Sequence, residues 1–520
     1  MNTVSASRGW RDVQPGRLAI FAATVAVATV VVIAAIVAGV ARGAAAPPKT
    51  FTVAGFTEFN TLDPDQGLSA PQLQVMNLFG GNLVKFTPNG ADVTGDLASS
   101  WAISKDGLTY VFKLRPGLKF SDGRPLLASD VVATYRRARS DKTNANIGEI
   151  YNFKSWRAPN ARTVVLRLRY RQGSALSFLA DPEVGPVFPA RDLAKKNFFL
   201  KPISAGPYRV TSFDATTGNT TLEVNSKYYG PKPAIPVVKF VYVADPATRS
   251  LQLKSGQVDY AENLDPNTLS QFSGETVPSL NLLEGGFYLV INNRQGPLAN
   301  VKVRRAISMA VDRDQLNRII YHGLNKPMTS FWAPSQTGGT NKDLPAFSVA
   351  GAKALLAGTP CASGCDFPIM VRGGAPQFQQ FATIIQQQLQ AIGIKTELQI
   401  TDPSVANKKA YSGDFQLYTG GLWDYANRPD AMLQYGLIYT GGLFSLYSGY
   451  QSPQMVALAN KAIALSGKAQ AAAISGVGQL FAQDMPYVPL LQDAFANAQR
   501  TATVPWVKTQ GVFFNFKSSG

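Results

Sequence analysis

Nucleophilic, redox and metal chemistry draw on histidine, cysteine and clustered acids, and this 520-residue chain is poor in the first two. It holds one histidine, His322, and two cysteines, Cys361 and Cys365. Zinc, iron and copper sites take several ligands from those residue types, so most such metal chemistry is excluded. A serine activated by histidine would have to use His322, and no Gly-x-Ser-x-Gly elbow supplies the serine. Neither a Gly-x-x-x-x-Gly-Lys-Ser/Thr phosphate loop nor a Gly-x-Gly-x-x-Gly fingerprint is present. No catalytic residue, metal ligand set or cofactor is expected. His322 ends an apolar-periodic stretch at Tyr321-His322-Gly323, where a cation at a helix carboxy terminus explains it without a ligand.

The elements that must position any site begin with an export signal. Leu18 to Val40 runs for 23 residues without a charge, a helix of about 34 Å and long enough to cross a bilayer. Arg8, Arg11 and Arg17 precede it against Asp12 alone, which sets residues 1–17 in the cytoplasm and the remainder outside. The expectation is a membrane anchor over 18–40 and a linker over 41–50. Ala44-Ala45-Ala46 offers a cleavage site, which would give a secreted form. In an oxidising compartment Cys361 and Cys365 are a disulfide candidate, a metal pair being the weaker reading. The net charge of +17 is scattered in runs of about five residues, so the pattern argues against nucleic acid as a partner.

Beyond the linker the pattern is β-rich, then mixed. Strands are expected at Phe51–Phe56, across Trp101–Leu114 with a turn at Lys105-Asp106-Gly107, and at Thr163–Leu168, Tyr208–Phe213, Thr221–Asn225 and Val237–Val243. Ser129 or Asp130 can cap a helix over Val131–Arg139. Later, Val303–Ala310, Gln315–Tyr321, Phe378–Ile392, Pro453–Leu465 and Gln470–Gln483 have helical spacing, with Asp312 or Asp314 to cap the second. A strand is expected over Lys395–Ile400 and strand character over Tyr487–Phe516. Asn292 and Asn293, after the apolar run Phe287–Ile291, are expected near a crossing between lobes.

An ordered series of motifs carries a resemblance. It runs Thr61-Leu62-Asp63-Pro64, Leu97-Ala98-Ser99-Ser100-Trp101, Asp106-Gly107-Leu108-Thr109-Tyr110, Phe120-Ser121-Asp122-Gly123 with Ala128-Ser129-Asp130-Val131, Ala205-Gly206-Pro207-Tyr208, Gly256-Gln257-Val258-Asp259 and Val303 to Arg313. In that order the chain resembles the family 5 extracytoplasmic solute-binding proteins, the oligopeptide, dipeptide and nickel binders of ATP-binding-cassette (ABC) importers. The resemblance implies an α/β, two-lobed periplasmic-binding-protein-like fold (type II, cluster C-like), with a hinge and a ligand enclosed between the lobes. Lobe I would cover 51–286 and be regained over 491–520, and lobe II would cover 287–490. The implied function is capture of peptides or peptide-like solutes, and the implied partner is an ABC permease with a separate ATPase. The alternatives are an envelope regulator or scaffold reusing the fold, and a binder of a glycolipid, sugar or metal chelate.

In peptide-binding relatives two segments meet the ligand: a loop before the Leu-Asp-Pro motif, and a Gly-Trp-x-x-Asp-Tyr-like stretch whose aspartate takes the ammonium group. Carried onto this chain they are Glu58, Phe59 and Asn60, and Trp423, Asp424, Tyr425, Asn427 and Arg428. A carboxylate suits a buried ammonium because an unpaired charge in a closed cleft is costly. Here Asp424 follows Trp423 directly, and Arg428 stands where an acid is common, so amine recognition by this segment departs from the family's pattern.

Overall fold

The computed structural model describes residues 46–518, except 67–68, 88–91, 142–143, 145–149, 295, 337, 374–375, 424–432, 434–446, 466 and 511. The expected cytoplasmic stretch 1–17 and membrane segment 18–40 lie outside the described residues. Among the described residues no helix is long and apolar enough to cross a membrane. Pro48–Gly520 forms one compact unit that contains every hydrophobic cluster described.

The backbone of that unit is a ten-stranded mixed sheet shared by both halves of the chain. Chain order gives β1 (Thr50–Gly55), a small hairpin β2 (Val84–Phe86) and β3 (Val93–Gly95), then β4 (Ala98–Ile103), β5 (Thr109–Leu114), β6 (Phe153–Asn160) and β7 (Thr163–Leu168). Next come β8 (Tyr208–Phe213), β9 (Thr220–Val224), β10 (Val237–Tyr242), β11 (Tyr260–Ala261) and the long β12 (Thr276–Ile291). The second half adds β13 (Cys365–Asp366), β14 (Ile369–Arg372), β15 (Ile394–Lys395), β16 (Leu398–Thr401), β17 (Leu417–Trp423), β18 (Tyr487–Arg500) and a closing hairpin, β19 (Val507–Gln510) and β20 (Phe513–Phe516). The large sheet has the order β16-β14-β17-β12-β18-β11-β1-β10-β9-β8, while β4-β5-β7-β6 form a separate antiparallel sheet.

β12 and β18 join the halves. The first part of β12 pairs with the later part of β18 beside β11 and β1, and the last part of β12 pairs with β17, which carries β14 and β16. The register slips between Leu282 and Gly286 and again before Tyr288, a bulge that bends the strand where it passes from one half to the other. All but the last residue of β18 is buried, because both faces of this central strand are covered. The lobe limits expected at 286/287 and 490/491 fall inside these two continuous strands. Asn292 and Asn293 lie past the end of β12, away from the bulge, where the Asn292 side chain donates to the Gly413 and Phe415 carbonyls. The bulge itself lies between Leu282 and Tyr288, four to ten residues before Asn292.

Local expectations fare well wherever patterning is regular. The turn before β5 has Gly107 at φ 72°, the left-handed conformation that glycine adopts without strain. Helix α1 spans Ala70–Phe79. Helix α2 spans Ala128–Ser140, beginning before Val131, so neither Ser129 nor Asp130 is its cap residue. Asp130 sits in the first turn and accepts from the Leu127 and Ala190 backbone N–H groups. Helices α3 (Val301–Ala310) and α4 (Arg313–Tyr321) follow, with Asp312 capping α4 by accepting from the Gln315 N–H. His322 is the carboxy-terminal cap of α4, at φ 52°. The stretch Lys395–Ile400 is two short strands, β15 and β16, in different sheets rather than one. Cys361 and Cys365 are joined in a disulfide, their Cα atoms 5.2 Å apart.

The family-like motifs serve mainly as fasteners. Arg137 of α2 bridges Asp63 and Asp65 of the Leu-Asp-Pro segment. Buried Arg304 donates to the carbonyls of Leu298, Ala299, Asp484 and Met485, and buried Arg313 to those of Pro489, Ser308 and Val311. Asp259 of the Gly-Gln-Val-Asp motif accepts from the Thr52 N–H and locks β1 to the start of β11.

Candidate interlobe binding site

β1, β10 and β11 run parallel, so their carboxyl ends open at one edge, the place where α/β sheets carry ligand loops. The loop Phe56–Asn60 leaves β1 there. Phe56 meets Phe495 of β18 with ring centroids 5.4 Å apart, in a small cluster with Ala70, Leu283 and Val512. An edge-on aromatic contact of this kind contributes about 0.5–1.5 kcal/mol beyond its burial. Phe59 turns away from this cluster and stacks on Phe213, at 5.7 Å, in the core of lobe I. Glu58 and Asn60 are exposed.

The second expected segment emerges at the same crossing. β17 is antiparallel to β12 with Trp423 opposite Gly285, in the bulge that ends at Gly286. The backbone thus brings residue 423 to one flank of the bulge, and Phe56 to the other through Phe495. Asp424, Tyr425, Asn427 and Arg428 lie outside the described residues, and of Trp423 only the backbone is described.

Two buried acids, one after β11 and one at the bulge, do not stand out in the sequence. Glu262, directly after β11, accepts from Gln74 of α1 through one carboxylate oxygen, and its other oxygen has no hydrogen-bond partner. Burial pushes its pKa up to about 7, against the pull of the Gln74 hydrogen bond and of Arg249. Asp493 of β18 faces the bulge of β12, is fully buried, and has neither carboxylate oxygen hydrogen-bonded. Burial pushes its pKa up to about 8, opposed by the adjacent Ala494 N–H. Next to it, Gln492 donates to the Leu283 carbonyl and to Ser335, and its own carbonyl accepts from Asn325. The signals that could have exposed them are slight: Glu262 follows the Gly-Gln-Val-Asp motif by three residues, and Asp493 interrupts an apolar run.

Half-buried Tyr170, just beyond β7, packs against the cluster of Tyr288, Phe331, Trp332 and Phe481 in lobe II, so the two lobes touch on this side. The described residues place Phe56, Phe495 and the desolvated Asp493 around the crossing of β12 and β18. Among the described residues no group of His, Cys, Asp and Glu could hold a metal ion. The geometry fits reversible enclosure of a small solute.

Residues 92–442, more than half of the chain, match the family described as bacterial extracellular solute-binding proteins, family 5 Middle. The chain belongs to that family. The solute-binding protein is 28% identical over 367 residues to a putative ABC transporter peptide-binding protein of Brucella ovis, covering 67% of this chain and 68% of the relative. It is 25% identical over 480 residues to the glutathione-binding protein GsiB of Escherichia coli O1:K1 / APEC, covering 88% and 92%. Among solved structures it resembles the periplasmic binding protein AgaA of A. tumefaciens R10 in complex with agropinic acid. That likeness has a TM-score of 0.77 and 26% identity, and covers 87% of this chain and 93% of the other. The two-lobed α/β architecture and the solute-binding role follow from this membership.

Proposed function

We propose that this solute-binding protein captures a peptide or peptide-like solute at the crossing of β12 and β18 and delivers it to an ABC permease driven by a separate ATPase. The observation that carries the reading is that the end of β17, at Trp423, and Phe56 of the loop after β1, through Phe495, both reach the bulge of β12 and its flank. Peptides suit such a site because Asp424 would supply a carboxylate to an ammonium group, Glu58 is exposed on the loop after β1, and apolar side chains would meet Phe56. The relatives support the choice, one being named a peptide-binding protein and another a glutathione-binding protein. Residues 18–40 would tether the protein to the membrane, with both lobes outside the cell.

Thermal-shift titration of residues 47–520 with di- and tripeptides and glutathione tests this. A ligand at about 100 times its Kd stabilises the folded state by about 2.7 kcal/mol, a readily measured rise in Tm. The expected result is a rise for the parent protein that falls at least tenfold in apparent affinity with Asp424→Ala. No shift with any peptide would overturn the peptide reading. A second reading, a non-peptide acid, is favoured by the likeness to AgaA and its agropinic acid, and would show as a shift with opine-type acids alone.

A further inference from the structure

Positive charge is concentrated in one module. From the start of β4 to just past β7, residues 98–172 hold fifteen lysines and arginines against five aspartates and glutamates, a net +10 of the chain's +17. Within that module α2 lies against β6, the edge strand of the four-stranded sheet. Between them is a cavity of about 280 Å³, lined by Arg136 and Arg139 of the helix and by Lys154, Ser155 and Trp156 of the strand.

Among the described residues no acid lines this cavity, and no carboxylate pairs with Arg136, Arg139 or Lys154. Arg136 spends one N–H on the Trp156 carbonyl and keeps its remaining donors. The Arg139 guanidinium lies 5.6 Å from the centre of the Tyr151 ring, and the Arg169 guanidinium approaches the same ring at 5.6 Å. By contrast Arg137, between the two helix arginines, is held by Asp63 and Asp65. Placement at a helix carboxy terminus accounts for Arg136 and Arg139. It does not account for Lys154, which comes from the strand, nor for Arg169, which follows β7.

We infer that the cavity between α2 and β6 is an anion site that takes a phosphate-bearing group. Two guanidinium forks, an ammonium and the Ser155 hydroxyl supply more donors and more positive charge than one carboxylate satisfies. A phosphate ester, with up to two negative charges and three acceptor oxygens, matches them. The group belongs either to a free phosphorylated compound or to a lipid headgroup; both present anionic phosphate oxygens, a monoester with up to two charges and a diester headgroup with one. The site does not depend on which solute the cleft between the lobes holds.

The test uses the compact unit from residue 48 onward, with inorganic pyrophosphate followed by calorimetry and phosphatidylglycerol vesicles followed by co-sedimentation. Phosphatidylcholine vesicles serve as the neutral control. The expected result is saturable binding of at least one phosphate probe, weakened at least tenfold by Arg139→Gln with Lys154→Gln at an unchanged Tm. It should also weaken as salt rises, because the contacts are ionic. Lys239→Gln with Lys302→Gln, both exposed and outside the cavity, should change it less than twofold. Binding of pyrophosphate points to a free phosphorylated ligand, and binding of phosphatidylglycerol vesicles alone to a headgroup. If the double glutamine variant melts early, Lys154→Glu alone, on the exposed strand edge, replaces it. No binding of either probe, or binding equally strong in the cavity variant, overturns the inference.

Discussion

Single side chains in this protein mostly do structural work that their types do not advertise. Arg304 and Arg313 are buried and spend their donors on backbone carbonyls, so the cationic motif that looks like a surface helix is an internal clamp. Asp493 has the clearest consequence. Burial pushes its pKa up to about 8 from the ordinary aspartate value of 3.8, so the native protein keeps a proton that the unfolded chain releases. Between those two values stability therefore falls as pH rises, and it levels off above the folded pKa. Asp493→Asn cannot release that proton. Relative to the parent it should gain about 1–3 kcal/mol between pH 5 and pH 8, a discounted reading of the 1.36 kcal/mol per pKa unit. Urea unfolding at the two pH values measures this, and parallel stability profiles would show that Asp493 is ionised in the folded state. Glu262 and Asp65, both raised to about 7 by burial, add slopes of the same sign that persist in the variant.

At the scale of elements, the bulge in β12 is the feature on which the site turns. Gly286 stands there with no room for a side chain, since a Cβ would meet Met328 Sδ at 2.4 Å and Cε at 2.8 Å. The obstructing atoms are the flexible end of a methionine, so Gly286→Ala should cost about 1–3 kcal/mol rather than abolish folding. Combined with Met328→Ala, the two changes should couple by at least about 1 kcal/mol in a double-mutant cycle, because each relieves the other. Additive effects would mean that the crossing accommodates the methyl group by moving β12. Elements were legible in the sequence where periodicity was clean: β7 and β8 stand where alternation put them, and α4 carries its Asp312 cap. β6 escaped because Lys154-Ser155-Trp156-Arg157-Ala158-Pro159 shows little apolar alternation, as suits an edge strand with one side open to solvent. The first part of β12 escaped because Pro278, Asn281 and Glu284 interrupt its apolar run.

For the whole molecule, the shared sheet couples the lobes. β12 and β18 each contribute to both halves, so neither half retains a complete sheet if the other unfolds. Calorimetry of residues 47–520 should accordingly give one cooperative transition, raised by a bound solute, and two well-separated transitions would contradict the coupling.

The sequence by itself determined the family, through short motifs in fixed order, and the lack of nucleophile and metal patterns, through composition. It also pointed to the loop after β1, which the structure places at the edge where β1, β10 and β11 end. Those properties are local, set by residue types a few positions apart. Only the tertiary structure decided that β12 and β18 span both halves, that Phe59 packs against the core of lobe I while Phe56 meets Phe495, that Asp493 is desolvated at the bulge, and that Glu262 is desolvated after β11. Burial of an acid depends on what distant strands place around it: Asp493 is paired through the sheet with residues some two hundred positions earlier, a distance across which no sequence periodicity carries information.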